Sequence, residues 1–169
     1  VAISMNMGVP LEKIQKVIKE FKAVEHRIEF VTERFGVKYY NDSKGTNPDA
    51  AMQAIKAMPG PTLLIAGGYD KHIPYEPLGP VINDKVKLLI LLGDTAPKIE
   101  KAVKEASNYD ADEIEIVNVT NMEEAVAVAR ERSTKGDIVS LSPASASFGL
   151  YKNFEERGNH FKSIVNALK

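Results

Sequence analysis

Four mainly apolar runs recur along the chain after residue 60, and each ends in small or polar residues. They cover residues 62–66, 86–92, 114–119 and 138–141. The segments between them, which are 75–83, 96–106 and 122–132, carry apolar residues at helical spacing. Strands that are apolar on both faces and alternate with helices are typical of a parallel sheet covered on both sides.

The chain before residue 60 has a different pattern. Two strand-like segments, 28–33 and 37–40, are joined by a short turn that ends in glycine, which predicts a β-hairpin. Residues 50–58 then carry apolar side chains at helical spacing. Asn47 is a suitable cap for this helix, and Pro48 suits its first turn.

A further amphipathic helix is predicted for residues 10–21, followed by a polar link at 22–27. An amphipathic helix has to bury its apolar side against another element. Taken together, the patterns predict an α/β fold with a Rossmann-like, mainly parallel sheet. Helices cover both faces of this sheet, and the N-terminal part of the chain contributes a β-hairpin or antiparallel element.

Composition narrows the class of protein. At 169 residues and 44% apolar, the chain is long enough for one domain with a sizeable core. A net charge of -1 argues against non-specific nucleic-acid binding, and the lack of cysteine excludes disulfides and cysteine-based zinc sites. The apolar runs fall short of the about 20 residues that span a membrane, and no signal peptide is visible. We therefore expect a cytoplasmic protein with neither membrane insertion nor a nucleic-acid partner.

Candidate chemistry clusters in the segments that follow the predicted strands. Ligands of open α/β sheets bind outside the carboxyl ends of the strands. The segments that leave those ends are rich in Gly, Ser, Asp and Lys, and they are 42–47, 67–71, 93–94 and 142–147. We expect Asp42, Thr46, Lys71 and Ser147 to converge at this one edge.

Two of these segments carry features that attract anions. Lys44 and the free N–H groups at the start of the 50–58 helix favour negative charge, although an ordinary strand-to-helix turn needs only its capping residues. The glycine pair before Tyr69 permits a sharp turn and close backbone approach to a ligand. Lys71 suits a carboxylate or phosphate, with a solvated ion pair to Asp70 as the alternative. His72 stands alone and is interpreted as a surface residue.

The last segment, 142–148, consists of small and hydroxyl residues before Phe148. Residues 151–161 combine aromatic and charged side chains, and an amphipathic helix that includes Phe161 and Val165 is predicted after a loop. Neither G-x-x-x-x-G-K-[ST] nor G-x-G-x-x-G, G-x-S-x-G or H-E-x-x-H occurs. The chain therefore carries no self-contained catalytic constellation.

The segments also form an ordered set with a familiar spacing. They are His26-Arg27, then NDSKGTN at 41–47, GGYDK at 67–71, LSPASASF at 141–148 and KNFEERG at 152–158. This set resembles the C-terminal domain of the Mur ligases, above all of the members that add D-glutamate. The resemblance covers the chain from about residue 25 to its end. It implies a D-glutamate-binding domain at 25–169 and, at 1–24, a terminal helix carried over from a preceding central domain.

The resemblance implies an ATP-dependent ligation in peptidoglycan synthesis. An acyl phosphate forms on the L-alanine carboxylate of UDP-N-acetylmuramoyl-L-alanine, and the amine of D-glutamate attacks it. ATP and Mg2+ would serve the full-length enzyme, whose phosphate loop and magnesium carboxylates lie in the central domain. Because this sequence has neither, we expect it by itself to be inactive and to require no cofactor.

Carried over position by position, the resemblance implies two groups of binding residues and no catalytic or metal-binding residue. Arg27 and Asp42 correspond to the nucleotide-contacting pair. The D-glutamate group consists of the side chains of Lys44, Thr46, Lys71 and Ser147 and the backbone N–H groups of Phe148 and Phe154. One departure is Gly45, where the family commonly has alanine; we expect it to loosen the loop without removing a functional group.

Two alternatives stay open at this point. One is a domain of another Mur ligase or of an amide ligase like folylpolyglutamate synthase. The other is a stand-alone regulatory domain of flavodoxin-like shape that binds a phosphate or nucleotide at the same edge. The serine-rich segment followed by residues 152–158 favours D-glutamate.

Overall fold

The computed structural model describes residues 1–21 and 24–169. Its strands are β1 Glu29–Arg34, β2 Val37–Asn41, β3 Thr62–Ala66, β4 Val86–Leu91, β5 Glu115–Asn118 and β6 Ile138–Leu141. Its helices are α1 Ala2–Asn6, α2 Leu11–Glu20, α3 Pro48–Ala57, α4 Leu78–Lys85, α5 Ala96–Lys104, α6 Met122–Arg132 and α7 Phe154–Asn166.

The six strands form one sheet in the order β1-β2-β6-β3-β4-β5. Strand β1 pairs antiparallel with β2, and every other neighbouring pair is parallel. The predicted mainly parallel sheet with an N-terminal hairpin is thus confirmed. The order places β2, β6 and β3 side by side, so the segments that leave their carboxyl ends are also neighbours.

Helices cover both faces of the sheet and create two apolar layers. On one face α6 and α7 contribute Val126 and Phe161, which pack against Leu63 and Ile65 of β3. On the other face α3, α4 and α5 pack against the alternate positions, such as Leu64. Because neighbouring residues of a strand point to opposite faces, a strand buried on both sides reads as a continuous apolar run.

Two helices begin at positions that differ from the prediction. Helix α4 starts at Leu78 rather than at residue 75, after Pro77, whose fixed φ suits a helix start. Helix α7 starts at Phe154, in a stretch predicted as loop, because the Asn153 side chain caps it by accepting from the Glu156 N–H at 2.8 Å. The earlier start places Arg157 inside the helix.

The predicted helix at 10–21 is observed as α2, and it is preceded by α1, which the sequence pattern had not indicated. Ile14 is buried, but Val17, Ile18 and Phe21 are exposed. The predicted polar link includes Lys22 and Ala23, which lie outside the described residues. In the described part of the chain, no helix has both the length and the apolar character needed to cross a membrane.

A buried carboxylate fastens the end of the sheet opposite the candidate segments. Oδ2 of Asp137 accepts from Lys87 Nζ at 2.5 Å and from the N–H and hydroxyl of Thr134 at 2.6 and 3.0 Å. Burial by itself raises the pKa of Asp137, but these three hydrogen bonds and the Lys87 charge outweigh it and leave that pKa below its ordinary value. The ion pair ties β4 to the turn before β6.

We expect Asp137→Asn to lower the free energy of unfolding by about 1.5–3 kcal/mol at pH 7, since hydrogen bonds to a charged group are lost. A carboxylate with a depressed pKa stabilises the fold above its unfolded pKa of about 4, and this contribution disappears as the pH falls through the folded value. Urea unfolding of both proteins at pH 7 and pH 3 measures the difference, which should shrink at pH 3.

Glu113→Gln is the matched control, because Glu113 is exposed and forms no ion pair within residues 1–21 and 24–169. Its effect should be small at both pH values. An Asp137→Asn difference that stayed constant between pH 7 and pH 3 would contradict the assigned role of the charge.

Candidate functional site

Three of the four candidate segments are joined by backbone hydrogen bonds at the carboxyl edge of the sheet. The Gly67 N–H donates to the Pro143 carbonyl at 2.8 Å, and the Tyr69 N–H donates to the Ala146 carbonyl at 2.9 Å. The Asp42 N–H donates to the Leu141 carbonyl at 2.7 Å. The segments after β2, β6 and β3 therefore form one continuous surface, as the sequence pattern predicted.

Gly67 and Gly68 are required because neighbouring backbone carbonyl groups approach them closely. A Cβ on Gly67, whose φ is +107°, would lie 2.1 Å from the Leu92 carbonyl oxygen. A Cβ on Gly68, whose φ is +150°, would lie 2.3 Å from the Ala146 carbonyl oxygen. Side chains at these positions would separate the segments after β3, β4 and β6, because L-residues rarely adopt such angles and the space is occupied.

Three buried hydroxyl groups hold the same segments from below. Ser145 Oγ lies 2.8 Å from both Thr95 Oγ1 and the Tyr75 hydroxyl. Thr95 Oγ1 also accepts from the Gly68 N–H at 3.0 Å. Tyr75 and Thr95 were not among the predicted site residues, and neither their spacing nor their neighbours in the sequence indicates this contact.

Arg157 joins the segment after β2 to the segment after β6. Its Nη2 donates to the Ser43 carbonyl at 2.8 Å, and its Nη1 donates to the carbonyls of Ser145 and Ala146 at 3.1 and 3.2 Å. Its Nε donates to Ser43 Oγ at 3.0 Å, and that hydroxyl donates to the Phe154 carbonyl at 2.7 Å. One guanidinium thus connects two strand ends to the first turn of α7.

The Arg157 side chain is buried, and within the described residues it contacts no carboxylate. Burial lowers its pKa to about 10, so the group is still charged at neutral pH. Sequence reasoning missed this residue because it was placed in a loop. The helical spacing of Phe154, Arg157, Gly158 and Phe161 is the signal that would have put it on the core-facing side of α7.

Asp42 is buried directly below this surface. Its Oδ1 accepts from the Ile28 N–H at 3.1 Å, and its Oδ2 accepts from Ser142 Oγ at 2.7 Å. Burial raises the pKa of Asp42, while these hydrogen bonds and the charges of Arg27 and Arg157 oppose the rise. A carboxylate buried directly below such a surface, with a shifted pKa and an exposed arginine nearby, is a candidate functional group.

Gly45 approaches Asp42 closely. Its N–H donates to the Asp42 carbonyl at 2.8 Å, and a Cβ at Gly45 would lie 2.4 Å from Asp42 Oδ2. Glycine therefore fills a tight position here, and an alanine would require the carboxylate to move. Our expectation that Gly45 only loosens the loop left out this contact.

Lys71 and Lys44 are the available cations of the site. Asp70 pairs with Lys98 at 2.6 Å, so the alternative of an Asp70–Lys71 ion pair is not observed. Lys44 lies with its Nζ 5.5 Å from the centre of the Phe154 ring. Across the described ranges neither Lys44 nor Lys71 forms an ion pair, and both side chains are exposed. Both ammonium groups are thus positioned to meet an anion from solvent.

Hydrogen-bond donors accompany the two lysines. Ser147 is buried, its carbonyl accepts from the Tyr151 N–H at 3.0 Å, and Phe148 is exposed beside Tyr69, with ring centres 5.9 Å apart. In the part of the chain that the structure describes, the N–H groups of Phe148 and Phe154 have no acceptor. Thr46, half-buried, completes the set in the segment after β2.

The predicted residues thus fall into two neighbouring groups. Lys44, Thr46, Lys71, Ser147, Phe148 and Phe154 lie in or next to the joined segments, while Arg27 lies by Asp42. His72 is a surface residue, as interpreted. Within residues 1–21 and 24–169 no cluster of three or more His, Asp or Glu side chains is arranged to hold a metal.

Known proteins share both the sequence pattern and the fold. Residues 26–145 match the family described as Mur ligase, glutamate ligase domain, and the chain belongs to this family. It is 52% identical over 168 residues to the UDP-N-acetylmuramoylalanine--D-glutamate ligase of Symbiobacterium thermophilum. That match covers 99% of this chain and 36% of the relative, so the chain spans about a third of the length of that protein.

Two solved structures share the fold at low sequence identity. The UDP-N-acetylmuramate-alanine ligase of Thermotoga maritima matches 99% of this chain and 36% of its own, with a TM-score of 0.65 and 12% identity. The bifunctional folylpolyglutamate synthase/dihydrofolate synthase of Yersinia pestis, complexed with AMPPNP and a Mn ion, matches 85% of this chain and 32% of its own. Its TM-score is 0.55 at 13% identity.

We expect Arg157→Met to lower the free energy of unfolding by at least about 3 kcal/mol, because several buried carbonyl groups lose their donor. The control is Arg132→Met, which removes an exposed arginine that pairs with Glu115 at 3.0 Å and should cost about 0–1 kcal/mol. Urea unfolding measures both. Equal losses in the two variants would show that Arg157 does not hold the segments together.

Proposed function

We propose that this chain is the D-glutamate-binding C-terminal domain of an ATP-dependent ligase that adds D-glutamate to UDP-N-acetylmuramoyl-L-alanine in peptidoglycan synthesis. The observation that carries the proposal is the identity of about half of all residues to a D-glutamate ligase along almost the whole chain. Residues 25–169 form the domain in this proposal. Residues 1–24 belong to a preceding central domain, which would cover the exposed apolar side chains of α2.

The surface at the carboxyl edge suits a small dianion. D-Glutamate has two carboxylates, and each needs a cation or several neutral donors in fixed positions. Lys71 and Lys44 supply positive charge that forms no ion pair among the residues the structure describes, and Thr46 and Ser147 supply hydroxyl donors. The N–H groups of Phe148 and Phe154, which have no acceptor within residues 1–21 and 24–169, are further donors, and they need no side-chain rearrangement to bind an oxygen.

Arg27 and Asp42 form the nucleotide side of the proposal. An exposed guanidinium suits the phosphates of ATP, and a carboxylate suits the ribose hydroxyls. Each Asp42 oxygen already accepts one hydrogen bond, and each keeps lone pairs for a further donor. In the proposal, Mg2+ is held by the central domain of the full-length enzyme.

In this reaction the L-alanine carboxylate takes the γ-phosphoryl group and ADP leaves. The D-glutamate nitrogen then forms the amide bond, inorganic phosphate leaves, and the amine loses a proton. This chain contributes by holding the amino acid through its carboxylates, which leaves the amine free to face the acyl carbon. In the proposal it acts in the cytoplasm as one part of the larger enzyme and has no activity alone.

The test of the function is a ligation assay with the full-length ligase and UDP-N-acetylmuramoyl-L-alanine. We expect turnover with D-glutamate, little with D-aspartate, and none with a lysine-type acceptor. A folate-type amide ligase is the second candidate because the Yersinia pestis enzyme shares the fold. Preference for a folate or lysine-type substrate would therefore reject the D-glutamate proposal.

Within that assay, we expect Lys71→Ala to raise the KM for D-glutamate more than Ser147→Ala or Thr46→Ala does. Removing Lys71 leaves a desolvated carboxylate without its cation, which costs several kcal/mol in a closed complex. Losing one hydroxyl costs about 0.5–1.5 kcal/mol. Unchanged use of D-glutamate by Lys71→Ala would assign the site to a different substrate.

Arg27→Ala and Asp42→Ala should act mainly on ATP, each through lost charged hydrogen bonds of about 1.5–3 kcal/mol. Separate titrations of ATP and D-glutamate with the full-length ligase measure the two effects. The assignment of both residues fails if the affinity for D-glutamate falls while the affinity for ATP holds.

A further inference from the structure

The turn that carries Arg27 has a left-handed backbone conformation on both sides of that residue. His26 has a φ of +63° and Ile28 a φ of +46°. The left-handed region is sparsely populated by non-glycine residues, and a β-branched residue such as isoleucine is a genuine outlier there. Such strain persists only when the surroundings fix the conformation, and it is concentrated at functional sites.

Backbone hydrogen bonds fix this turn to the segment after β2. The Lys44 N–H donates to the His26 carbonyl at 3.0 Å, and the Ile28 N–H donates to Asp42 Oδ1 at 3.1 Å. The two residues on either side of Arg27 are therefore both bound to the segment that holds Asp42. The position of Arg27 relative to Asp42 depends on this turn.

The His26 imidazole is the side chain that locks the turn. It is buried, and a Cβ on Gly158 would lie 2.3 Å from its Nδ1, so α7 leaves room for the ring only because residue 158 is glycine. The Phe154 ring packs edge-on against it at 6.0 Å between ring centres. His26 thus occupies a closed slot between β2 and α7.

Asn41 fixes the hydrogen-bonding role of Nδ1 in that ring. Its Oδ1 accepts from the Ser43 N–H at 3.1 Å, and its Nδ2 donates to Glu29 Oε2 at 2.9 Å. These two partners fix which end of the amide is nitrogen. The second Nδ2 hydrogen points to His26 Nδ1 at 2.9 Å, so this ring nitrogen accepts and carries no proton.

Glu29 completes the network and connects it to α7. The same Oε2 that binds Asn41 also accepts from the His26 N–H at 2.9 Å. Its Oε1 binds Lys162 Nζ of α7 at 3.3 Å. Glu29 on the edge strand and Asn41 on β2 therefore both bind His26, and Lys162 on α7 is connected to the turn through Glu29.

We propose that His26, Asn41 and Glu29 are positioning residues that hold Arg27 beside Asp42 and so set the affinity for the nucleotide. This inference rests on the proposed nucleotide role of Arg27. None of the three touches the nucleotide in the proposal. They act by keeping the turn in the conformation in which His26 and Ile28 are bonded to the segment of Asp42, which places Arg27 beside that segment.

The test compares His26→Leu with His26→Asn in the full-length ligase. Leucine removes the acceptor, leaves a buried amide hydrogen unpaired and disfavours the left-handed backbone. Asparagine adopts that backbone readily and places Oδ1 close to the position of the imidazole Nδ1. We expect the leucine variant to raise the KM for ATP about tenfold, equivalent to ~1.4 kcal/mol, with the KM for D-glutamate within about twofold of wild type.

His26→Asn should restore most of the ATP affinity. Glu29→Gln keeps an acceptor but loses the attraction to Lys162. We expect it to raise the KM for ATP, but by less than His26→Leu does. This variant replaces His26→Leu in the test if the leucine variant does not fold. The matched control is His72→Leu, since His72 also has a left-handed φ of +57° but lies outside the network. Its KM for ATP should equal that of wild type.

The results that would contradict the proposal differ in which part of it they reject. Equal rises in KM for ATP and D-glutamate, or a fall in thermal stability with unchanged ATP affinity, would show a merely structural role for the network. Failure of His26→Asn to restore ATP affinity would reject the accepting role of Nδ1. If wild-type ligase uses ATP and D-glutamate, these outcomes concern the network alone; if it does not, the proposed function fails first.

Discussion

The buried Arg157 guanidinium is the constraint on which the site depends. Taking a charge out of water costs several kcal/mol, and here no contacting carboxylate offsets that cost within the described residues. Its hydrogen bonds to Ser43, Ser145 and Ala146 have to do so, which is possible only while the two strand-end segments keep their places. The same charge contributes a positive potential below the two exposed lysines, on the side where an anion would bind.

The layered fold could be predicted because the apolar patterns that determine its strands and helices are local in the sequence. Strands buried on both faces give continuous apolar runs, and the helices between them keep one apolar side, so the parallel sheet follows from periodicity. The hairpin, the capping role of Asn47 and the strands at 62–66 and 138–141 were all confirmed. The start of α7 was misplaced because its cap, Asn153, lies in a polar stretch that has no apolar periodicity.

The candidate site was predictable only in part, because some of its contacts join residues that are far apart in the sequence. Lys71 and Ser147 follow strands, so their shared edge could be deduced from the order of elements. Thr95 and Tyr75 meet Ser145 only after the sheet has formed, and no local pattern records that contact. The slot for His26 likewise depends on Gly158, more than a hundred residues away, which no spacing rule connects to it.

Three of the Arg157 hydrogen bonds end on backbone carbonyl oxygens and only one on a side chain. The carbonyl at a given position is the same whatever residue occupies it. Side chains of the segment after β6 can therefore change during evolution while the guanidinium continues to hold the backbone in place. The backbone shape of this segment is thus independent of its side chains, and if the segment binds an amino acid as proposed, a new preference would need only side-chain substitutions and no change of the fold.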